Sequence, residues 1–473
     1  MPSSVSYLHP ALLLALAGAA IGQTAQSNFG HARARELAEL GRLPTAHDVV
    51  VRDIVNYHHH QLPLPRADQD VALDLRFARS YAETEGEVVL QVGYTTRPQG
   101  DRTFAPPCTV ALVVDCSGSM QERGKMAQVK EGLRAFAGTL RREDEVALVA
   151  FSTEARVLAP RRPFGDGRWL LASIEELQPS GNTNLHAGLM AGLRELRGED
   201  VGNRSQRVIL LTDGIANTGT TEPAQIVADT KPFTAQRIDI STIGLGENLD
   251  VPLLEAIARG TRGLFHFVGD GREVHKVFVQ EADSLLLAAA RRPHLRVQLP
   301  RELRPEHVFH EGTEPSEDRD NRIELDLPDL NAGATGVVIV RCRLAPGTQE
   351  PLTVRAELAF GSATTQRPEV VAATATLRVR DQTSARRAEA EEPRIDLDVQ
   401  KNYAIAVLAQ GLADMAKACD AKRWADAERA LRLAKEDSLR LFPGDEVDLR
   451  RVREIADGHA RTLRRYVDRF RDY

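Results

Sequence analysis

At 473 residues the chain exceeds what one hydrophobic core ordinarily organises, so two or three domains are expected. A net charge of −6, with both signs spread along the chain, argues against a nucleic-acid track and a polybasic membrane patch, and a hydrophobic fraction of 42% is that of a soluble globular protein. Four cysteines, Cys108, Cys116, Cys342 and Cys419, lack metal-ligand spacing and read as separate buried thiols; a Cys108 to Cys342 disulfide is the alternative in an oxidising compartment.

Ala11 to Ile21 (ALLLALAGAAI) has the length of a signal-peptide apolar region and is too short to span a bilayer. Small residues at Ala20 and Gly22 suit a peptidase, although no Lys or Arg precedes Arg33. Removal of residues 1–22 on export is the expectation, against a buried N-terminal helix. No later stretch approaches ~18 uninterrupted apolar residues, so no transmembrane segment is expected in the mature chain.

Residues 23–66 read as a helical segment and 67–107 as strands. Val71 to Ala78 and Glu87 to Tyr94 alternate apolar and polar, the period of a strand with one wet face. The alternation returns at His294 to Leu299, Arg322 to Leu327, Thr335 to Leu344 and Thr353 to Phe360. It predicts an antiparallel β-sandwich over 291–380, to which the strands of 67–107 belong if the intervening unit interrupts it.

Within 108–290 the pattern is strand, loop, helix, repeated. The strands Thr109 to Val114, Glu145 to Phe151, Arg207 to Leu211, Ile238 to Ile243 and Gly263 to Val268 are apolar throughout, as strands covered by helices on both faces are. Helical periods lie at Lys125 to Leu140, Gly167 to Leu177, Leu185 to Arg197, Pro223 to Ala235 and Val251 to Arg259. The prediction is an α/β Rossmann-like domain, a mainly parallel sheet with helices on both faces and Ala155 to Pro160 as an antiparallel edge strand. Residues 381–398 are charged and read as a linker, and 399–473 as a helical segment opening with an αα-hairpin joined near Asp420 to Arg423.

Asp115, Ser117 and Ser119 fall where the first parallel strand ends, the edge at which open α/β sheets bind ligands. "PSGNTNLHAG" brings Thr183 and "LLTDGIANTG" brings Asp213 to the same edge. Two carboxylates and three hydroxyls, with no imidazole or thiolate, favour Mg²⁺, Ca²⁺ or Mn²⁺. Neutral hydroxyls in the inner shell would leave the ion positive enough to attract a further carboxylate.

"DCSGSM", "GNTN" and "LLTDG", in that order and spacing, resemble the von Willebrand factor type A domain and its metal-ion-dependent adhesion site. Asp115, Ser117 and Ser119 match its DxSxS element, Thr183 its lone threonine and Asp213 its lone aspartate. The resemblance implies a six-stranded sheet, divalent-cation-dependent binding of an acidic side chain and no enzymatic activity in the domain itself. Gly41 to Pro65, the sandwich and the αα-hairpin resemble exported bacterial type A proteins labelled calcium-activated chloride channel homologues.

Rival readings are weaker. A nucleophile elbow needs GxSxG and a P-loop needs GxxxxGK[ST], and neither is present. His58, His59 and His60 are adjacent and point apart, so packing explains them better than a shared ion. The expectation is an exported, non-enzymatic binding protein whose metal, Mg²⁺ first, meets an Asp or Glu of a protein partner. The alternatives are an envelope scaffold with a structural metal and a metal-assisted hydrolase using His186 as base.

Overall fold

The computed structural model describes residues 29–471 except 84, 99–106, 199–203, 247, 262, 270–273, 287, 311–320, 349–350, 363–364, 366 and 381–393. The expected signal segment and most of the expected linker lie outside the described residues. The chain opens with α1 (Phe29–Glu39) and α2 (Val51–Val55), followed by β1 (Val71–Phe77), β2 (Tyr81–Glu83) and β3 (Glu87–Thr96).

The α/β unit then runs through β4 (Cys108–Asp115), α3 (Lys125–Ala137), β5 (Glu145–Phe151), β6 (Ala155–Pro163), α4 (Arg168–Glu175), α5 (Leu185–Leu196) and β7 (Ser205–Thr212). It continues through α6 (Pro223–Thr234), β8 (Ile238–Leu245), α7 (Val251–Gly260), β9 (Phe265–Val268) and α8 (Val274–Leu286). The sheet order is β6-β5-β4-β7-β8-β9, with β6 antiparallel at one edge and every other pairing parallel, as the uninterrupted apolar strands predicted. Central β4 is buried along its whole length because α3, α4 and α8 cover one face and α5, α6 and α7 the other. Gly192 permits this packing: a Cβ there would stand 2.3 Å from a Val113 methyl, so α5 could not lie as close to β4 with any side chain. On edge strand β6, exposed Arg161 and Arg162 and two prolines discourage further strand pairing.

Strands from both sides of this unit build one sandwich. Its remaining strands are β10 (Ala288–Gln298), β11 (Leu303–Val308), β12 (Arg322–Asp326), β13 (Leu330–Asn331), β14 (Thr335–Leu344), β15 (Leu352–Ser362) and β16 (Pro368–Arg380). One sheet is β1-β3-β14-β11 and the other β12-β10-β15-β16-β2, with β13 paired to β10. β3 and β14 are antiparallel over nine pairs from Thr335↔Thr95 to Arg343↔Glu87, so the α/β unit is an insertion between β3 and β10. The sandwich is therefore not confined to 291–380: β1, β2 and β3 belong to it, and β10 starts at Ala288, directly below α8.

The C-terminal helices α9 (Leu397–Asp420), α10 (Trp424–Leu441) and α11 (Val447–Arg471) pack on the outer face of the β1-β3-β14-β11 sheet. This corrects one expectation. β3 and most of β14 have no wet face, because α9 and the N-terminal segment cover them; Asn402 of α9 donates to Gln91 Oε1 at 2.9 Å inside the interface. Among its described residues the N-terminal segment is helical in α1 and α2 alone. The rest is irregular and runs under the sandwich, where Asn56 accepts from Val337 N (2.8 Å) and donates to Val337 O (3.1 Å) like a short strand mate. Phe29 of α1 stacks on Phe265 at 4.2 Å, fastening this segment to β9.

All four cysteines are buried free thiols, as expected. His58 and His60 pack ring to ring at 4.4 Å, and no group of three His, Cys, Asp or Glu able to hold a metal occurs among the described residues.

Candidate metal and partner-binding site

β4 ends at Asp115 and the chain turns into a short 3₁₀ segment, Gly118–Gly124, that leads to α3. Three loops are stitched together around this turn by backbone hydrogen bonds. Cys116 N donates to Phe151 O (2.7 Å), Ser180 N to Cys116 O (2.7 Å) and Gly118 N to Gly181 O (3.0 Å). Asn184 caps α5 by accepting from Ala187 N at 3.1 Å, which places Thr183 just before that helix.

The side chains of Asp115, Ser117, Ser119 and Asp213 form one continuous polar run. Asp115 Oδ1 accepts from Ser117 N at 2.7 Å. Ser117 Oγ lies 3.1 Å from Ser119 Oγ, and Ser119 Oγ donates to Asp213 Oδ1 at 2.7 Å. Thr183 is not bonded to this run among the described residues; its backbone is tied to the loop after Asp213, where Thr183 N donates to Asn217 Oδ1 (2.8 Å) and Asn217 N to Thr183 O (3.0 Å). Its hydroxyl faces Gly214, where a Cβ would stand only 3.5 Å from Oγ1. Asp115, Ser117, Thr183 and Asp213 are buried, while Ser119 is half-buried and Gly118 exposed, so the run reaches the surface at Ser119.

Burial pushes the Asp115 carboxyl up, hydrogen bonds from Thr212 and Ser117 oppose the rise, and the Asp213 charge adds to it. Thr212 Oγ1 donates to Asp115 Oδ2 at 2.6 Å. Burial, with Asp115 beside it, lifts the Cys116 thiol to about 12, so it is an inert neighbour at neutral pH.

Sequence reasoning did not find Thr212, Asn217 or Lys125. Lys125 Nζ donates to Asp213 Oδ2 at 2.5 Å, and the Asp213 side chain has no solvent exposure. A cation therefore already sits on this carboxylate. The all-oxygen donor set from three loops, one carboxylate of which already carries a cation, is of the chemistry that suits a hard divalent ion, and Asp115, Ser117, Ser119, Thr183 and Asp213 are its candidate holders. His186 does not extend the polar run; its Nε2 lies 2.9 Å from Asp229 Oδ2 of α6.

The sequence model of the von Willebrand factor type A domain matches residues 109–280, the span from β4 into α8. The uncharacterized protein YfbK of Escherichia coli (strain K12) is 24% identical over 316 residues, covering 64% of this chain and 54% of that protein. Inter-alpha-trypsin inhibitor heavy chain H3 of Pongo abelii is 33% identical over 195 residues, covering 38% of this chain and 22% of that protein. The chain thus spans about half of the first relative and about a fifth of the second. A solved von Willebrand factor type A protein from Catenulispora acidiphila superposes over 79% of this chain and 89% of its own, with a TM-score of 0.56 at 18% identity, a likeness of fold. Among the described residues no helix is long and apolar enough to cross a membrane. The unit carried between the two halves of the sandwich is a von Willebrand factor type A domain.

Proposed function

We propose that this chain is an exported, non-enzymatic protein-binding module. In this reading Asp115, Ser117, Ser119, Thr183 and Asp213 hold a divalent ion, Mg²⁺ before Ca²⁺ or Mn²⁺, and a partner's Asp or Glu completes the site. The observation that carries the reading is the bond of Ser119 Oγ to Asp213 Oδ1, which joins the DxSxS turn to the loop of β7 at a point open to solvent. When bound, the ion supplies a positive centre for an acidic side chain. The protein's own contribution is to hold the Ser119 hydroxyl at the rim and to bury Asp115, Ser117, Thr183 and Asp213 beneath it.

Ile215 supports partner binding: it follows Gly214 in the loop after Asp213 and is 55% exposed, an apolar contact for residues flanking the partner's carboxylate. The non-enzymatic reading draws support from His186, which is engaged with Asp229 instead of standing free as a base beside the hydroxyls. Export remains part of the proposal and rests on the apolar run of Ala11 to Ile21.

Capture of acidic proteins from an envelope extract on the immobilised chain tests the reading. Retention is expected with Mg²⁺ and to fall at least about 10-fold with EDTA or in Asp115→Ala, the scale on which losing a metal-site group acts. Retention unchanged by both treatments would overturn it. A lower melting temperature in EDTA with no change in retention would favour a structural metal in a scaffold.

A further inference from the structure

We propose that Lys125 is a tethered cation that occupies Asp213 in the metal-free site and is expelled when a divalent ion enters, so that it both preserves the empty site and weakens its affinity for metal. This rests on the metal-binding reading above and adds to it a means of setting the affinity.

The first support is the electrostatics of the empty site. Asp115 and Asp213 are two buried carboxylates close enough for the charge of one to act on the other. Uncompensated buried charge is costly, and hydroxyl donors alone do not neutralise it. The Lys125 ammonium, with a side chain 17% exposed, lies 2.5 Å from Asp213 Oδ2 and supplies the missing charge.

The second support is where Lys125 comes from. It is the first residue of α3, at the helix end whose dipole disfavours a cation, and the first turn of α3 contains no acidic residue. Arg123 and Gly124 before it have φ of 50° and 72°, a left-handed turn that carries the chain sharply into the helix. Among the described residues the partner of the ammonium is not local to α3 but a carboxylate 88 residues away in sequence. A lysine whose side-chain bond among the described residues is to Asp213, on a flexible stem with part of its length in solvent, can leave without disturbing the fold.

The third support is geometric conflict. Asp213 Oδ1 is bonded to Ser119 and Oδ2 to Lys125, so both oxygens of this candidate ligand are engaged in the metal-free state. A doubly charged ion held by Ser117, Ser119 and Asp213 would lie within several ångströms of the ammonium. Even with strong dielectric screening, repulsion between these charges at about 5 Å amounts to roughly a tenfold change in binding constant. Release of Lys125 relieves it.

Calorimetric titration with MnCl₂ of the wild type, Lys125→Met, Lys125→Arg and Asp115→Ala tests the proposal, together with mass-spectrometric measurement of reductive methylation at Lys125 in the wild-type chain. Lys125→Met is expected to bind Mn²⁺ about tenfold more tightly than the wild type, and Lys125→Arg to stay near the wild type. Methylation of Lys125 is expected to rise when Mn²⁺ saturates the site. Equal or weaker binding by Lys125→Met, or methylation unchanged or reduced by Mn²⁺, would overturn the role of Lys125 while leaving the metal site standing. Lack of Mn²⁺ binding by the wild type, or undiminished binding by Asp115→Ala, would defeat the metal reading itself and this proposal with it. If Lys125→Met folds only with Mn²⁺ present, that supports the role in preserving the empty site; if it folds in neither condition, the methylation result on the wild-type chain decides.

Discussion

Glu281→Ala is expected to destabilise the α/β unit by about 3–5 kcal/mol, the cost of removing one partner from a buried ion pair. Glu281 lies wholly inside the domain, on α8, and joins two strands at once. Its Oε1 is 2.7 Å from His266 Nε2 on β9, and its Oε2 accepts from Arg207 Nη1 on β7 at 3.4 Å. Burial alone would raise the Glu281 carboxyl; the His266 hydrogen bond and the charges of His266 and Arg207 overcome it and hold the group below the usual carboxylate range. Truncation would take from the Arg207 guanidinium, itself 3% exposed, its nearer counter-charge at 3.4 Å and leave Asp239 at 3.8 Å. Because α8 is the last helix before β10, this network lies beside the junction between the inserted domain and the sandwich. Urea denaturation followed by circular dichroism measures the loss, and a midpoint equal to that of the wild type would contradict the account.

The second large effect is acid sensitivity of the seam between the N-terminal segment and the C-terminal helices. Burial lowers His31 and His58 from 6.5 to about 3, assisted at His31 by Arg35 and Arg451 and at His58 by Lys401. Burial also lowers His459 to about 4 and His60 well below its ordinary value. Asp448 lies 3.8 Å from His58 Nε2, but this contact is too long to offset desolvation. These imidazoles are neutral in the folded chain, whereas the unfolded chain takes up protons once the pH falls below about 6.5. Their stability contribution is therefore complete above that value and is lost as the pH falls to about 4 for His459 and about 3 for His31 and His58, at about 1.4 kcal/mol per histidine for each pH unit. Unfolding free energy between pH 6.5 and 5 is expected to fall steeply and to fall less in His58→Gln. A flat profile over that window would contradict the burial of these rings.

How much was legible in the sequence follows from where each residue finds its partners. Strands β4, β5, β7, β8 and β9 are readable because strands covered on both faces are apolar at every position, and the intervening helices carry a 3.6-residue period. The candidate ligands are readable because a strand end fixes Asp115, Ser117 and Ser119 locally. Lys125, Thr212 and Asn217 take their roles from loops distant in sequence, and no local pattern marks them. β3 was misread for a similar reason: Gln91 looks like a solvent-facing position until Asn402 of α9 covers it. β16 escaped notice because its alternation is built from Ala and Thr as much as from Val and Leu, and only pairing with β15 over ten positions makes the strand evident.

The central claim is that Asp115, Ser117, Ser119, Thr183 and Asp213 form a divalent-ion site. Its most direct test is calorimetric titration of Mg²⁺ and Mn²⁺ into the EDTA-treated chain and into Asp213→Ala, with circular dichroism confirming that the variant is folded. The account predicts saturable, stoichiometric binding by the wild type that a folded Asp213→Ala loses. No binding by the wild type, or equal binding by the variant, would contradict it.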